Sequence, residues 1–241
     1  MRNLDEKNIH ELDALIGGSH VVTVAVHTHP DGDALGSGMA LVSYLRKRRG
    51  VDAALAVPDP VPYNLQFVVE GQECLVWTED PDAVSRRIGR SDLLFCLDFN
   101  TASRVDQMET SLRQSPARKV LIDHHLDPDV ETVLTVSHPD ASSTCELVFR
   151  LVWQMGCFEL LGKHFATPIY CGMMTDTGGF TYNSNSPDIY FIISQLLTKR
   201  INKDRIYRNV FHNFSDMLDL QIATVHVDNH VKLGILSVLF F

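Results

Sequence analysis

Short unbroken apolar runs, each closed by polar residues, alternate along the chain with longer stretches of helical spacing. The runs are Val21 to Val26, Val51 to Val57, Leu93 to Leu97 and Lys119 to Ile122. Their lack of in-out alternation predicts strands covered by helices on both faces. Between and before them, Leu4, Ile9, Leu12, Leu15 and Ile16 fall near one helical face ahead of Gly17 and Gly18. A second helix is predicted after His27 to Ser37, ending in Arg46-Lys47-Arg48-Arg49 against the negative end of its dipole, with Gly50 as cap. A short helix is predicted over Asp80 to Arg90. The expected fold is α/β, a parallel sheet flanked by helices, with every strand delivering its last residues to one rim.

From Ser142 the spacing becomes helical. A capping-box pattern at Ser143 to Glu146 opens a helix that stops at Gly156, and further helices are predicted over Lys163 to Met174, Pro187 to Lys199, Asp204 to Asn213 and on to about Asn229. The chain finishes on LGILSVLFF, which reads as a lone apolar strand. The expected organisation is a catalytic domain over residues 1–190, closing helices and a linker helix over 191–229, and the start of a further domain over 230–241.

Composition narrows the function classes. A chain of 241 residues, 45% of them hydrophobic, buries a sizeable core. Its formal charge of -9 argues against a general binder of long nucleic acid, which needs a basic footprint. Divalent cations could invert that field locally. The five cysteines have no CxxC spacing, no basic start precedes an apolar leader, and no apolar run reaches the length of a membrane span. Free thiols in a cytoplasmic protein, with no membrane partner, are the expectation.

The chemistry collects where the strands end. HTHPDGDALGS, leaving the first strand, holds His27, Asp31 and Asp33. As a plain loop it would need only Asp33 as a helix N-cap. Three hard-metal ligands in seven residues say more than that. Asp98 closes the third predicted strand, Asp123-His124-His125 close the fourth, and Asp176 joins from the helical half. Carboxylate-rich sites with one imidazole per ion suit Mn²⁺ or Mg²⁺ better than Zn²⁺. Six ligating side chains exceed what one ion can hold beside water and substrate; they fit two ions sharing a bridging carboxylate, an arrangement suited to phosphoester hydrolysis.

HTHPDGDALGS, the Asp of CLDFN, the triplet of LIDHH and the Asp of GMMTDTGGF resemble, in order and approximate spacing, the four motifs of the DHH phosphoesterases. That superfamily holds nanoRNases and pAp phosphatases, cyclic di-AMP phosphodiesterases, exopolyphosphatases and pyrophosphatases. The resemblance implies that His27 and Asp31 hold one ion, that Asp33, His124 and Asp176 hold the other, and that Asp98 bridges them. It further implies that His125 serves the substrate phosphate as donor or proton carrier and that Asp123 orients the histidines. Arg104 in DFNTASR resembles a phosphate-contacting arginine, and His29 reads as rim lining within substrate reach. Two divalent cations, Mn²⁺ before Mg²⁺, would be the cofactors, and a short oligonucleotide or small phosphorylated nucleotide the substrate.

Such relatives carry a second, glycine-rich substrate domain that nothing here matches, so the resemblance implies a largely missing DHHA1 domain and impaired substrate gripping. Three activities compete: a nanoRNase or pAp phosphatase, an exopolyphosphatase or pyrophosphatase at the same site, and a catalytically weak nucleotide-binding or homodimerising module.

Overall fold

A computed structural model describes residues 1–211. The first helix, α1 (Glu6–Gly17), buries Ile9, Leu12, Leu15 and Ile16, the stripe read from the sequence. The elements that follow are β1 (Val21–Ala25), α2 (Gly32–Tyr44), β2 (Asp52–Val57), α3 (Gln66–Val69), β3 (Cys74–Val76), α4 (Pro81–Gly89), β4 (Leu93–Leu97), α5 (Glu109–Gln114), β5 (Arg118–Asp123) and β6 (Leu134–Ser137). Helices α6 (Thr144–Gln154), α7 (Lys163–Asp176), α8 (Pro187–Thr198) and α9 (Lys203–Phe211) complete them. The helix predicted to run to Asn229, the strand LGILSVLFF and the segment 230–241 lie outside the described residues.

All strand pairs are parallel, in the order β3-β2-β1-β4-β5-β6. The fold is therefore the expected α/β sheet, wider by two strands. Neither β3 nor β6 is covered as the four predicted strands are: CLV is 3 residues long and only half-buried, and LTVS alternates. The order in which strands are added reverses between β1 and β4, which are parallel neighbours in the sheet although separated in sequence. Such a switch point opens a crevice at the carboxyl ends of the two strands. His27 and Asp98 follow those two ends.

Helix α2 is buried along its whole length, so it lies inside the molecule. It packs on α7 through residues too small to hold it off. A Cβ on Gly32 would sit 2.4 Å from Thr175 Oγ1, and one on Gly36 would sit 2.5 Å from the Pro168 carbonyl. One on Gly172 would meet Cys145 Sγ at 2.3 Å and Asp33 Cα at 2.9 Å. The close approach brings the start of α2 beside the end of α7. Past Tyr44 the helix widens into a π turn over Leu45–Arg49 and ends at Gly50 in the left-handed conformation, as the cap reading expects.

Candidate metal centre

Asp31, rather than Asp33, caps α2: its Oδ1 accepts from the amides of Asp33 at 2.9 Å and Ala34 at 3.0 Å. Asp33 is thereby released from capping and turns inward, where it is fully buried. Its carboxylate accepts from the amides of Thr144 at 2.6 Å and Cys145 at 2.8 Å, the first residues of α6. A helix N-terminus is a ready anion site. The anion at the start of α6 is a side chain of the protein itself. Ser143 caps the same helix by accepting from Glu146 N–H, while Glu146 reaches back to the amide of Ser142, one residue earlier than a capping box requires.

Asp98 follows β4 with a left-handed backbone (φ 63°), a conformation that Asp and Asn tolerate better than other non-glycine residues. That turn aims its carboxylate into the crevice. Oδ2 lies 3.5 Å from His27 Nε2 and Oδ1 lies 3.6 Å from His124 Nε2. Thr144 Oγ1 donates to Oδ1 at 3.0 Å. Around these, His27 Nε2 stands 3.8 Å from Asp31 Oδ1, and His124 Nε2 stands 3.8 Å from Asp33 Oδ2 and 3.3 Å from Asp176 Oδ2. Three overlapping groups form: His27, Asp31 and Asp98; Asp33, His124 and Asp176; and Asp98, His124 and His125. Each offers ligand atoms within 4.8 Å of one another.

The donor set fits divalent cations. Each imidazole is turned the same way: His27 Nδ1–H donates to the Thr28 carbonyl at 2.7 Å, His124 Nδ1–H to the Ala141 carbonyl at a longer 3.4 Å, and His125 Nδ1–H to Asp123 Oδ1 at 2.7 Å. Tying down Nδ1 leaves Nε2 as an acceptor, the form a metal requires. Four carboxylates meet here, and among the described residues only histidines lie within ion-pair distance of them. Burial and the charges of Asp98 and Asp176 push Asp33 well up, and burial with the charges of Asp98 and Asp31 pushes Asp176 up to about 8. Burial opposes the charged forms of Asp98 and His27 as well, yet their mutual contact prevails, lowering the first and raising the second. A cluster that resists its own negative charge is one that cations would stabilise.

The remaining predicted residues divide. Asp123 is fully buried; one oxygen holds His125 while Oδ2 has no hydrogen-bond partner among the described residues. That hydrogen bond, with burial opposing it, raises the imidazole of His125. His29 is exposed on the rim with a left-handed backbone (φ 50°). The side chain of Arg104 is exposed, whereas its carbonyl accepts from the amide of Thr28 at 2.8 Å and so anchors the first motif. Sequence reading passed over Asp59, which accepts from the Thr28 hydroxyl and from the His29 amide. It also passed over the Thr144 hydroxyl, Cys145 and Gly172, whose roles depend on tertiary approach.

The description "DHH family, N-terminal domain" matches residues 21–173. The chain belongs to the DHH family. It is 30% identical over 180 residues to a bifunctional oligoribonuclease and PAP phosphatase of Thermus thermophilus, covering 73% of this chain and 49% of that one. A cyclic-di-AMP phosphodiesterase of Listeria monocytogenes is 30% identical over 183 residues, covering 73% of this chain and 27% of that one. The crystal structure of an exopolyphosphatase-related protein from Bacteroides fragilis superimposes with a TM-score of 0.88 at 39% identity, covering 97% of this chain and 68% of the other. This DHH-family chain thus spans about half the length of its Thermus relative. Among the described residues no helix is long and apolar enough to cross a membrane.

Proposed function

We propose that this chain is a divalent-cation-dependent phosphoesterase that hydrolyses very short oligoribonucleotides or small phosphorylated nucleotides. The observation that carries the reading is Asp98, whose two oxygens face different histidines in two ligand groups. His27, Asp31 and Asp98 would hold one cation; Asp33, His124, Asp176 and the other oxygen of Asp98 would hold a second. Mixed carboxylate and imidazole donors favour Mn²⁺ over Mg²⁺. Bound there, the ions would clamp a phosphoryl group and make water a competent nucleophile at neutral pH.

The protein's own groups supply the rest. His125, held at Nδ1 by Asp123, whose carboxylate favours the imidazolium, would take a proton at Nε2 and then donate it to a phosphate oxygen or carry it to the leaving group. Arg104, exposed in the turn segment Ala102–Met108 that follows β4, would meet a second phosphate with its planar fork. Free thiols at all five cysteines suit a reducing, cytoplasmic setting. Residues 1–190 would form the catalytic unit.

The names of the Thermus and Listeria relatives support a nucleotide substrate; that of the Bacteroides structure supports polyphosphate at the same site. One assay separates them. With Mn²⁺ present, release of phosphate from pAp and of mononucleotide from a dinucleotide is expected, with slower release from polyphosphate and pyrophosphate. Preference for polyphosphate would replace the nucleotide reading. Tight nucleotide binding with no turnover of any of these would mark a binding module, whether or not the chain pairs with a second copy.

A further inference from the structure

We propose that Asp59, which lies outside the four motifs, is a positioning residue that sets the affinity of one cation site, the His27 site, and leaves the other alone. The proposal rests on the two-cation reading above. Asp59 stands in the Pro58-Asp59-Pro60 loop after β2, and a plain turn would account for it were its carboxylate free. It is not free. Oδ2 accepts both the hydroxyl of Thr28 and, at 2.7 Å, the amide of His29.

Thr28 is the hinge of the arrangement. Its hydroxyl is held by Asp59, its amide donates to the Arg104 carbonyl at 2.8 Å, and its own carbonyl accepts from His27 Nδ1–H at 2.7 Å. That last bond aims Nε2 of His27 at Asp98 and Asp31. The same carboxylate holds the amide of His29, whose left-handed backbone costs free energy that the loop must recover. Without Asp59 the hydroxyl and the His29 amide both lose their acceptor, the Thr28 carbonyl is free to swing, and the imidazole of His27 goes with it. Beyond His27 these contacts reach the second group only through Asp98 and Asp31; Asp33, His124 and Asp176 are themselves set by the amides of α6, the Ala141 carbonyl and the packing of α2 on α7.

Both bonds go to a single oxygen, so an amide can replace the carboxylate. The test is Mn²⁺ titration of the full chain by calorimetry, with free Mn²⁺ followed by electron paramagnetic resonance. The wild type should bind two ions. Asp59→Ala should weaken one of them by about 10- to 100-fold, the range for removing a group that orients a ligand, while the other stays within about twofold. Asp59→Asn should keep both within roughly threefold, because orientation and not charge is what the carboxylate supplies. Thr28→Val, which removes the hydroxyl at constant shape, should repeat the one-site loss and keeps the test open should Asp59→Ala fail to fold. Equal weakening of both ions, no weakening in Asp59→Ala and Thr28→Val, or an Asn variant as poor as the Ala variant would overturn the assignment. A wild-type chain that binds fewer than two ions would overturn the two-cation reading as well, so the two failures are distinguishable.

Discussion

The two halves of the centre are held by different kinds of structure. His27 rides on a loop whose Thr28 and His29 are fixed by hydrogen bonds to Asp59 and Arg104, and Asp31 caps α2 where that loop ends. Asp33 and Asp176 stand at the facing ends of α2 and α7, where glycines bring the backbones together and α6 lends its first amides. His124 belongs to this second half by its contacts. Hydrogen bonds at a rim can be lost one at a time, whereas close-packed helices move together. The first half is therefore the one open to adjustment, and the second the one that stands or falls with the fold.

Asp98 is the only residue of the described groups that serves both halves, and Asp98→Asn breaks the comparison most completely. Asn tolerates the same left-handed backbone, so the fold should persist. Loss of the bridging charge should abolish high-affinity binding of both ions together with turnover, checked by metal analysis after gel filtration. Retention of either ion at wild-type affinity would show that the halves are independent.

Gly172→Ala attacks the packed half alone. Its Cβ would land 2.3 Å from Cys145 Sγ and 2.9 Å from Asp33 Cα, both inside the core. Overpacking of this kind costs about 1–3 kcal/mol. The denaturation midpoint should fall accordingly, and the ion at Asp33 should weaken more than the ion at His27.

The centre should also respond to pH. Asp176, raised to about 8, keeps its proton in the metal-free folded chain where the unfolded chain has already lost it. Between about pH 4 and pH 8 the unfolded state thus binds fewer protons, and stability falls as pH rises. His27, also raised, acts in the same direction near its own titration; Asp98, lowered, opposes them only in acid, where stability falls with falling pH. Denaturant midpoints in chelator should decline from acid toward pH 8. Saturating Mn²⁺ should remove that decline, because cation binding displaces the proton. A flat profile in chelator would count against the buried carboxylate cluster.

The smallest effect belongs to Arg104→Ala. The loop is anchored by the backbone carbonyl of Arg104, which the substitution keeps. Stability should stay within about 0.5 kcal/mol, as for other surface changes, and both ions should bind as before. Any loss should appear as a raised KM for nucleotides carrying a second phosphate.

The covered strands were legible because an apolar run without alternation has few other uses, and the residues at their ends were legible because parallel βαβ units share one rim. What the sequence could not reveal depends on approach between distant segments. Cys74–Val76 and Leu134–Ser137 are edge strands, half-covered and short, so the pattern that marks β1 and β4 is missing. Gly172 looks like any small helical residue until Asp33 is placed against it. Asp59, between two prolines, reads as a turn, and only its hydrogen bonds tell otherwise. The inward turn of Asp33 was likewise hidden, since either aspartate of DGD could have capped the helix.

The backbone at Asp98 limits how the centre could be retargeted. A left-handed position admits Asp, Asn or Gly readily and β-branched or bulky residues poorly. Exchanging Asp98 for cysteine, a donor zinc prefers, would strain the strand end, whereas histidine tolerates such a backbone, as His29 at φ 50° does. The metal preference of the proposed centre would thus be written partly in main-chain geometry, and attempts to evolve it toward a softer ion should begin at the rim histidines.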